Sequence, residues 1–176
     1  MDPMNPKPEE LCIKDIAHAL SMMCRANGHF HTFYSVAQHS INCYREAAAR
    51  GYSEKVQLAC LLHDASEAYL SDVTRPVKQH LDGYREAEGI LQDMIYAKWL
   101  SEPLDEDETQ QIKQVDDALL YFEFLYYMNE KILADEPIIK SGPVFEYEII
   151  NDVKSSFLNI FKTKITINKV SYFPHN

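Results

Sequence analysis

Apolar residues recur at helical spacing through most of the chain, with short polar stretches between the repeats. In the first repeat, apolar residues fall on every turn from Leu11 to Cys24, as on the buried face of an amphipathic helix. Ser35 and Ser53 each precede such a repeat, and serine commonly caps a helix N-terminus. The pattern predicts six helices, over about residues 9–24, 36–50, 53–70, 84–100, 105–133 and 145–161.

Two segments depart from this pattern. Asp72–Lys78 contains Pro76, which disfavours helical geometry at the residue before it, so a loop or short turn is expected there. Thr163–Val170 alternates polar and apolar residues and predicts a short C-terminal strand or an extended arm. No internal repeat or long linker divides the chain. We therefore expect one all-α domain over residues 1–176, a bundle of about six helices.

Composition narrows the classes of function. Hydrophobic residues make up 46% and charged residues 25% of the chain, as in ordinary soluble globular proteins. Apolar runs fall well short of the ~20 residues that span a bilayer, so no membrane segment is expected. A net charge of −10 without a basic stripe argues against a long nucleic acid as partner, because phosphate binding needs clustered Lys and Arg. The polar, proline-rich N-terminus is unlike a secretory signal, and we expect a cytoplasmic protein.

The four cysteines are widely spaced and form no C-x-x-C motif; they are Cys12, Cys24, Cys43 and Cys60. Such spacing is typical of reduced thiols and argues against disulfides or a zinc finger. A free cysteine within a helical pattern usually behaves as a small buried hydrophobic residue. The sequence therefore predicts a packing role for these residues.

The apolar centre of the third predicted helix contains polar residues that packing does not explain. His63 and Asp64 are adjacent there, and Glu67 follows one turn after His63. Burying a carboxylate beside an imidazole is costly unless the two are paired or hold a metal ion. His39, near the start of the preceding helix, could approach this pair if the two helices are antiparallel neighbours.

The fifth predicted helix adds two acidic residues. Asp116 and Glu123 lie two turns apart and share a face with the apolar Leu119 and Leu120, so each carboxylate requires a partner. Two histidines and two aspartates from three helices would form a mixed nitrogen and oxygen ligand set. Such a set suits one divalent ion such as Mn, Co, Ni, Fe or Zn, with water in the remaining positions. The ion would lower the pKa of that water.

His39, the His63-Asp64 doublet and Asp116 together resemble the H…HD…D signature of the HD-domain metal-dependent phosphohydrolases. Further matching positions surround this signature: Arg25, Glu67 and an Asp-x-x-x-Pro-x-Lys element at Asp72–Lys78. These features look like the branch that contains bacterial 5′-deoxynucleotidases and compact phage dATP triphosphohydrolases. The resemblance covers about residues 10–125 and implies a helical HD-domain bundle.

Carried over to this chain, the resemblance implies four metal ligands: His39, His63, Asp64 and Asp116. Asp117 directly follows Asp116, so either aspartate could be the last ligand. The spacing to Glu123 favours Asp116.

The resemblance also implies roles for residues beside the metal. Glu67 matches the acid that positions or activates the attacking water. Asp72 matches the residue that contacts the sugar 3′-hydroxyl, whereas Arg25 and Lys78 match phosphate-binding positions. Glu67 and Asp72 are therefore the expected catalytic pair.

A metal-dependent phosphohydrolase with small-molecule deoxynucleotide substrates is the function that this resemblance implies. The short chain, without a long Lys/Arg-rich insertion, favours release of phosphate from deoxynucleoside 5′-monophosphates. A dATP-type triphosphohydrolase would share every residue named and is an alternative. Another class is also open: a metal-bound HD module that is catalytically silent and regulatory, which would not need Glu67.

The fifth predicted helix contains an apolar and aromatic stretch at Leu119–Met128, too rich for one face of a small domain to cover. Large exposed apolar patches usually mark interfaces. We therefore expect a homo-oligomer, at least a dimer.

Overall fold

The computed structural model describes residues 1–170, and these residues form α-helices and short 3-10 turns without a β-strand. The all-α prediction is confirmed. Two 3-10 turns lie at Pro8–Glu10 and Ala26–Gly28. The helices are α1 Ile13–Met22, α2 Val36–Ala49, α3 Glu54–Leu62, α4 Glu67–Leu70, α5 Arg75–Lys78, α6 Tyr84–Trp99, α7 Glu106–Met128 and α8 Ile150–Val170. Within the described residues, no helix combines the length and apolarity needed to cross a membrane.

Side-chain caps fix where the main helices begin. The Ser35 hydroxyl accepts from the Gln38 amide at 3.1 Å, while the Gln38 side chain accepts from the Ser35 amide, so α2 starts in a capping box. Asp105 and Glu108 form the same reciprocal pair at the start of α7. These caps satisfy amides that a helix leaves unpaired at its first turn.

The central helix of the bundle is α3. Every side chain from Val56 to Leu62 is buried, because α3 contacts α2, α6, α7 and α8. A helix that is covered on all sides needs apolar residues all round. His63 follows directly after α3 and caps its C-terminus, so the packing of this helix positions the first residue of the His63-Asp64 pair.

The third predicted helix is wrong in one respect: it does not run unbroken to residue 70. Helix α3 ends at Leu62. In the turn that follows, amides bond to the carbonyl three residues earlier instead of four: Ala65 to Leu62 at 2.9 Å and Glu67 to Asp64 at 3.1 Å. The His63 ring contacts the Cys60 carbonyl through Nδ1 at 2.8 Å. That carbonyl would receive the next backbone amide in a continuing helix, so the side chain competes with the helical bond.

The C-terminal prediction is also wrong. Thr163–Val170 is neither a strand nor an extended arm but the last part of α8. Val153, Phe157 and Phe161 are buried, and Lys164 continues this row at helical spacing. The alternation within the tail is therefore overridden by a stripe that packs on the core.

The connection between α7 and α8 is held by buried polar groups of α2. The Glu46 carboxylate accepts from the Lys140 amide at 3.0 Å, the Ser141 amide at 2.7 Å and Arg50 Nε at 2.7 Å. Asn42 pairs with the backbone of Val144 in both directions. Since Glu46 is fully buried, these bonds offset the cost of removing its charge from water.

Replacing Glu46 by Gln should lower the free energy of unfolding by about 2–3 kcal/mol, because the buried charged acceptor becomes a neutral amide with one acceptor oxygen. Chemical denaturation at neutral pH measures the difference. Glu136→Gln, at an exposed position, is the matched control and should change stability little.

This effect should depend on pH. Burial raises the pKa of Glu46, but the hydrogen bonds from Arg50, Ser141 and Lys140 lower it more, so its net direction is downward. A carboxyl with a lowered pKa in the folded state stabilises the fold above its unfolded pKa of about 4.3. That contribution is lost as the pH falls through the folded pKa. The gap between wild type and Glu46→Gln should shrink in acid, and a constant gap would contradict this role.

Candidate metal centre

The buried carboxylate of Glu123 joins three segments of the chain. It lies on α7 with its side chain 0% exposed. Its Oε2 accepts from Arg25 Nε at 3.1 Å, and its Oε1 accepts from the Tyr34 hydroxyl at 3.1 Å. His39 Nδ1 lies 2.5 Å from the same Oε1. The sequence indicated that the Glu123 carboxylate needs a partner, and the structure gives it three: Arg25, Tyr34 and His39.

These contacts fix the orientation of two imidazole rings. Because Glu123 accepts at His39 Nδ1 and the Cys60 carbonyl accepts at His63 Nδ1, both rings carry their proton on Nδ1 when neutral. The lone pairs are then on the two Nε2 atoms, which lie only 3.2 Å apart. Two acceptors at that distance require a proton or a metal ion between them.

Two carboxylates face the same point. Asp64 Oδ2 lies 3.3 Å from His63 Nε2 and 3.7 Å from His39 Nε2. Asp116 Oδ1 lies 3.2 Å from His39 Nε2 and 3.7 Å from His63 Nε2. These two nitrogens and two oxygens therefore converge from α2, α7 and the turn after α3. Such a donor set fits a divalent transition-metal ion.

The electrostatics of the cluster fit a bound cation. Burial raises the pKa of Asp116, but hydrogen bonds and charges of His39 and His63 lower it more, so the pKa falls well below its usual range. The pKa of Asp64 is lowered in the same way, with Arg25 contributing after the two histidines. Both carboxylates therefore stay ionised beside the two imidazole rings.

Cys43 offers a further ligand atom of a different type, beyond the two nitrogens and two oxygens. His39, Cys43 and His63 form a buried group whose ligand atoms lie within 4.8 Å of one another, and this group could hold a metal ion. The Cys43 sulfur lies 3.4 Å from His39 Nε2. However, burial raises the pKa of the Cys43 thiol to about 11, and only the thiolate is a good ligand. The carboxylates are ionised already, whereas the thiol would have to lose its proton to bind an ion.

A cavity of about 530 Å³ opens beside the cluster. Its polar end is formed by six residues, namely Arg25, Asp64, Glu67, Asp72, Arg75 and Asp116. The lining residues of α7 run from Asp116 through Leu120 and Phe124 to Met128 at intervals of about one turn, so the cavity becomes apolar away from Asp116. Phe30 and Ile132 also line it. A cavity with charged groups at one end and aromatic side chains at the other suits an amphipathic small molecule.

Glu67 lies at the polar end and is only 4% exposed. Its Oε1 accepts from Lys78 Nζ at 3.3 Å, whereas its buried Oε2 receives no hydrogen bond from the residues that the structure describes. Burial, together with the charges of Asp64 and Asp72, raises the pKa of Glu67 well above its usual range. Burial likewise raises the pKa of Asp72. Both groups can therefore exchange protons nearer to neutral pH than ordinary carboxylates.

The structure brings most of the sequence-predicted residues together, with two differences. Lys78 is outside the residues that line the cavity; its ammonium contacts Glu67 and, at 2.5 Å, Glu88. Asp117 faces away from the histidines and pairs with Arg75 at 2.8 Å and with Lys113. Of the two adjacent aspartates, Asp116 is therefore the one that meets the imidazoles.

Two residues of this region were not among the site residues that the sequence indicated. Cys43 was interpreted as packing only, although it follows His39 by four residues and so shares its helix face. Arg75 was not singled out, yet it pairs with Asp116 at 2.6 Å and lines the cavity. The helical spacing could have indicated Cys43, whereas no local signal indicates Arg75.

Comparison with known proteins identifies relatives but no family, since no family model matches the chain. The chain is 36% identical over 91 residues to the uncharacterized protein YfdR of Escherichia coli strain K12, across 52% of this chain and 48% of that protein. It is 38% identical over 105 residues to an uncharacterized protein of Rhodobacter capsulatus, across 56% and 53% of the two chains. The chain thus spans about half the length of the curated relatives it matches.

Metal titration should separate the two possible ligand sets. His63→Ala and Asp64→Asn should each weaken Mn binding by at least about tenfold, because each removes a converging donor. Cys43→Ser should leave the affinity nearly unchanged, because in the proposed site the two carboxylates complete the ligand set without the thiol. Isothermal titration calorimetry gives the affinities, and Cys60→Ser is the matched buried-thiol control. Equal losses for Cys43→Ser and His63→Ala would instead assign a thiolate ligand.

Proposed function

We propose that the protein is a metal-dependent phosphohydrolase of the HD-domain type that acts on deoxynucleotides. The proposed reaction releases phosphate from deoxynucleoside 5′-monophosphates. The observation that supports this most directly is the convergence of two imidazole nitrogens on the carboxylates of Asp64 and Asp116, which themselves line the cavity. The aromatic opposite end offers a surface for a base, which suits a nucleotide better than a bare phosphate ester.

The proposed ligands of the ion are His39, His63, Asp64 and Asp116. A bound divalent ion of the Mn, Co, Ni, Fe or Zn type supplies Lewis acidity, which polarises a phosphoryl oxygen and lowers the pKa of a bound water. The Glu123 carboxylate and the Cys60 carbonyl hold the two rings at Nδ1, which leaves their Nε2 atoms as the nitrogens that would bind an ion. Such outer hydrogen bonds orient histidine ligands and raise their basicity.

Glu67 is the proposed general base. Its buried Oε2 is not engaged by any described residue and can accept a hydrogen bond from water at the polar end of the cavity. Its raised pKa makes it a stronger base than an ordinary carboxylate. The water oxygen attacks phosphorus, the bond between phosphorus and the sugar oxygen breaks, and the proton taken by Glu67 can pass to the leaving oxygen. Lys78 holds the other oxygen of Glu67 in place.

Arg25 and Asp72 are the proposed substrate contacts. Arg25 presents a guanidinium at the polar end, where it offsets negative charge that develops on the phosphoryl group. Asp72 lines the same cavity and can accept a hydrogen bond from a sugar hydroxyl. In this proposal the deoxyribose lies between the phosphate and the aromatic end.

A triphosphohydrolase of the dATP type is the second candidate. Arg75 supplies a second guanidinium at the polar end of the cavity, and additional cations suit a longer phosphate chain. Both candidates use the same proposed ligands and the same base, so only the products separate them.

Mn- or Co-loaded protein should release inorganic phosphate from a panel of deoxynucleoside monophosphates, with dAMP as the first substrate. Glu67→Gln should lower kcat by about 10²–10⁴-fold while Mn affinity stays near that of wild type, because the amide keeps the shape but cannot take the proton. Product chromatography after incubation with dAMP and with dATP measures both. Inorganic triphosphate from dATP, with no reaction of dAMP, would favour the second candidate. No turnover of either substrate with any of the metals would contradict the proposed activity.

We also propose self-association through the surface near the end of α7. Tyr121 and Tyr127 of the aromatic stretch are buried in the core, so this surface is smaller than the sequence predicted. Four apolar side chains remain exposed there: Tyr126, Met128, Ile132 and Leu133. Met128 and Ile132 also line the cavity, so a second subunit on this surface would lie beside its apolar end.

Sedimentation equilibrium should give a mass of at least two chains at micromolar protein, since buried apolar area drives such association. Leu133→Glu should shift the protein towards the monomer, because a charge at the contact would lose its hydration. Glu136→Lys is a nearby exposed control. A monomeric wild type at these concentrations would contradict the proposal.

A further inference from the structure

We propose that Arg75 is a substrate-binding residue. Its side chain would move away from Asp116 and Asp117, and its guanidinium would contact the phosphate of the ligand. The inference rests on the proposed function, because it names a substrate contact at the same site. Arg75 is the first residue of the short helix α5, and its side chain lines the polar end of the cavity. The resemblance assigned a phosphate-binding role to Lys78, three residues further along.

Arg25, the other arginine at this end, cannot move without cost. It contacts Glu123 at 3.1 Å and Asp64 at 3.2 Å, and its side chain is only 10% exposed. Glu123 is fully buried, so the departure of Arg25 would leave a buried carboxylate short of a charged donor. Arg25 is therefore a fixed positive charge in the floor of the cavity.

Lys78 is held in a similar way. Its ammonium contacts Glu67 at 3.3 Å and Glu88 at 2.5 Å, and its side chain is outside the cavity lining. Moving Lys78 to a phosphate would remove the partner of the buried Glu67. Lys78, to which the resemblance gave a phosphate-binding role, is therefore the hydrogen-bond partner of Glu67.

Arg75 has none of these restraints. Its side chain is 54% exposed, and exposed ion pairs contribute little to stability. If Arg75 leaves, Asp117 keeps its pairing with Lys113, and Asp116 keeps its contact with His39 at 3.2 Å. No buried charge loses its last partner, so the movement costs little.

The excess of negative charge at the polar end of the cavity explains why a bound phosphate would need the guanidinium of Arg75. Four carboxylates, Asp64, Glu67, Asp72 and Asp116, face two guanidiniums there. A phosphate dianion needs positive charge on the side away from the bound ion. The guanidinium of Arg75 already contacts two carboxylates, at 2.6 Å and 2.8 Å, with two different nitrogens. The same planar group can contact two phosphate oxygens at once.

Calorimetry with inorganic phosphate on Mn-loaded full-length protein tests this role. Arg75→Ala should weaken phosphate affinity by about 10–100-fold, whereas Mn affinity should stay within a factor of about three. Arg75→Lys should recover part of the loss, because lysine keeps the charge but not the planar contact. Arg85→Ala, which removes an exposed arginine of α6 outside the cavity lining, is the matched control and should change neither affinity. With a nucleotide substrate, Arg75→Ala should raise KM by a similar factor and leave kcat nearly unchanged.

Two results would overturn the inference. Unchanged phosphate affinity in Arg75→Ala would show that Arg75 does not contact the ligand. A loss of Mn affinity with phosphate affinity unchanged would show that Arg75 only orients the Asp116 carboxylate. The test distinguishes this inference from the proposed activity. If the wild-type protein turns over no nucleotide but its phosphate affinity depends on Arg75, the proposed activity is contradicted and the binding role of Arg75 is supported.

Discussion

The site depends on one buried charge, the carboxylate of Glu123. A carboxylate removed from water is tolerated only with a full set of donors, and here the donors come from Arg25, Tyr34 and His39. The same helix carries Asp116 two turns earlier, so α7 supplies both the hydrogen bond behind the His39 ring and a carboxylate in front of it. The register of α7 therefore sets the geometry of both sides of the imidazole. Shifting α7 would break the buried hydrogen bonds and the cluster together.

Most of the fold could be predicted because its strongest signals are local. Apolar residues at helical spacing and the capping serines placed α2 and α6 very close to where they lie, at Val36–Ala49 and Tyr84–Trp99. The predicted ends of the other helices were less accurate: α3 ends at Leu62 and α7 at Met128, both earlier than predicted, and α8 spans Ile150–Val170, later than predicted. The errors came where tertiary or side-chain contacts compete with the local pattern. At His63 the ring bonds a backbone carbonyl and ends α3, and after Phe161 the packing of α8 overrides a strand-like alternation.

The sequence was enough to predict which residues belong to the site, but not which residues pair with one another. Polar residues inside an apolar stripe signal a partner, and this argument located both His63-Asp64 and Glu123. The identity of each partner depends on which helices are neighbours. Arg25 meets Glu123 across 98 positions of the sequence, and Arg75 meets Asp116 across 41. Such contacts are set by packing, and an exposed arginine such as Arg75 leaves no pattern in the chain.

The arrangement also explains how the fold tolerates an unfavourable cluster of acceptors. The central helix α3 is buried from Val56 to Leu62, so its packing holds the turn that carries His63 and Asp64 whether or not the cluster is neutralised. Arg25 and Arg75 offset part of the negative charge from two sides. What remains is a set of carboxylate oxygens and imidazole nitrogens aimed at one point. Because a cation bound there adds its binding free energy only to the folded state, the same cluster that weakens the bare protein would stabilise the loaded one.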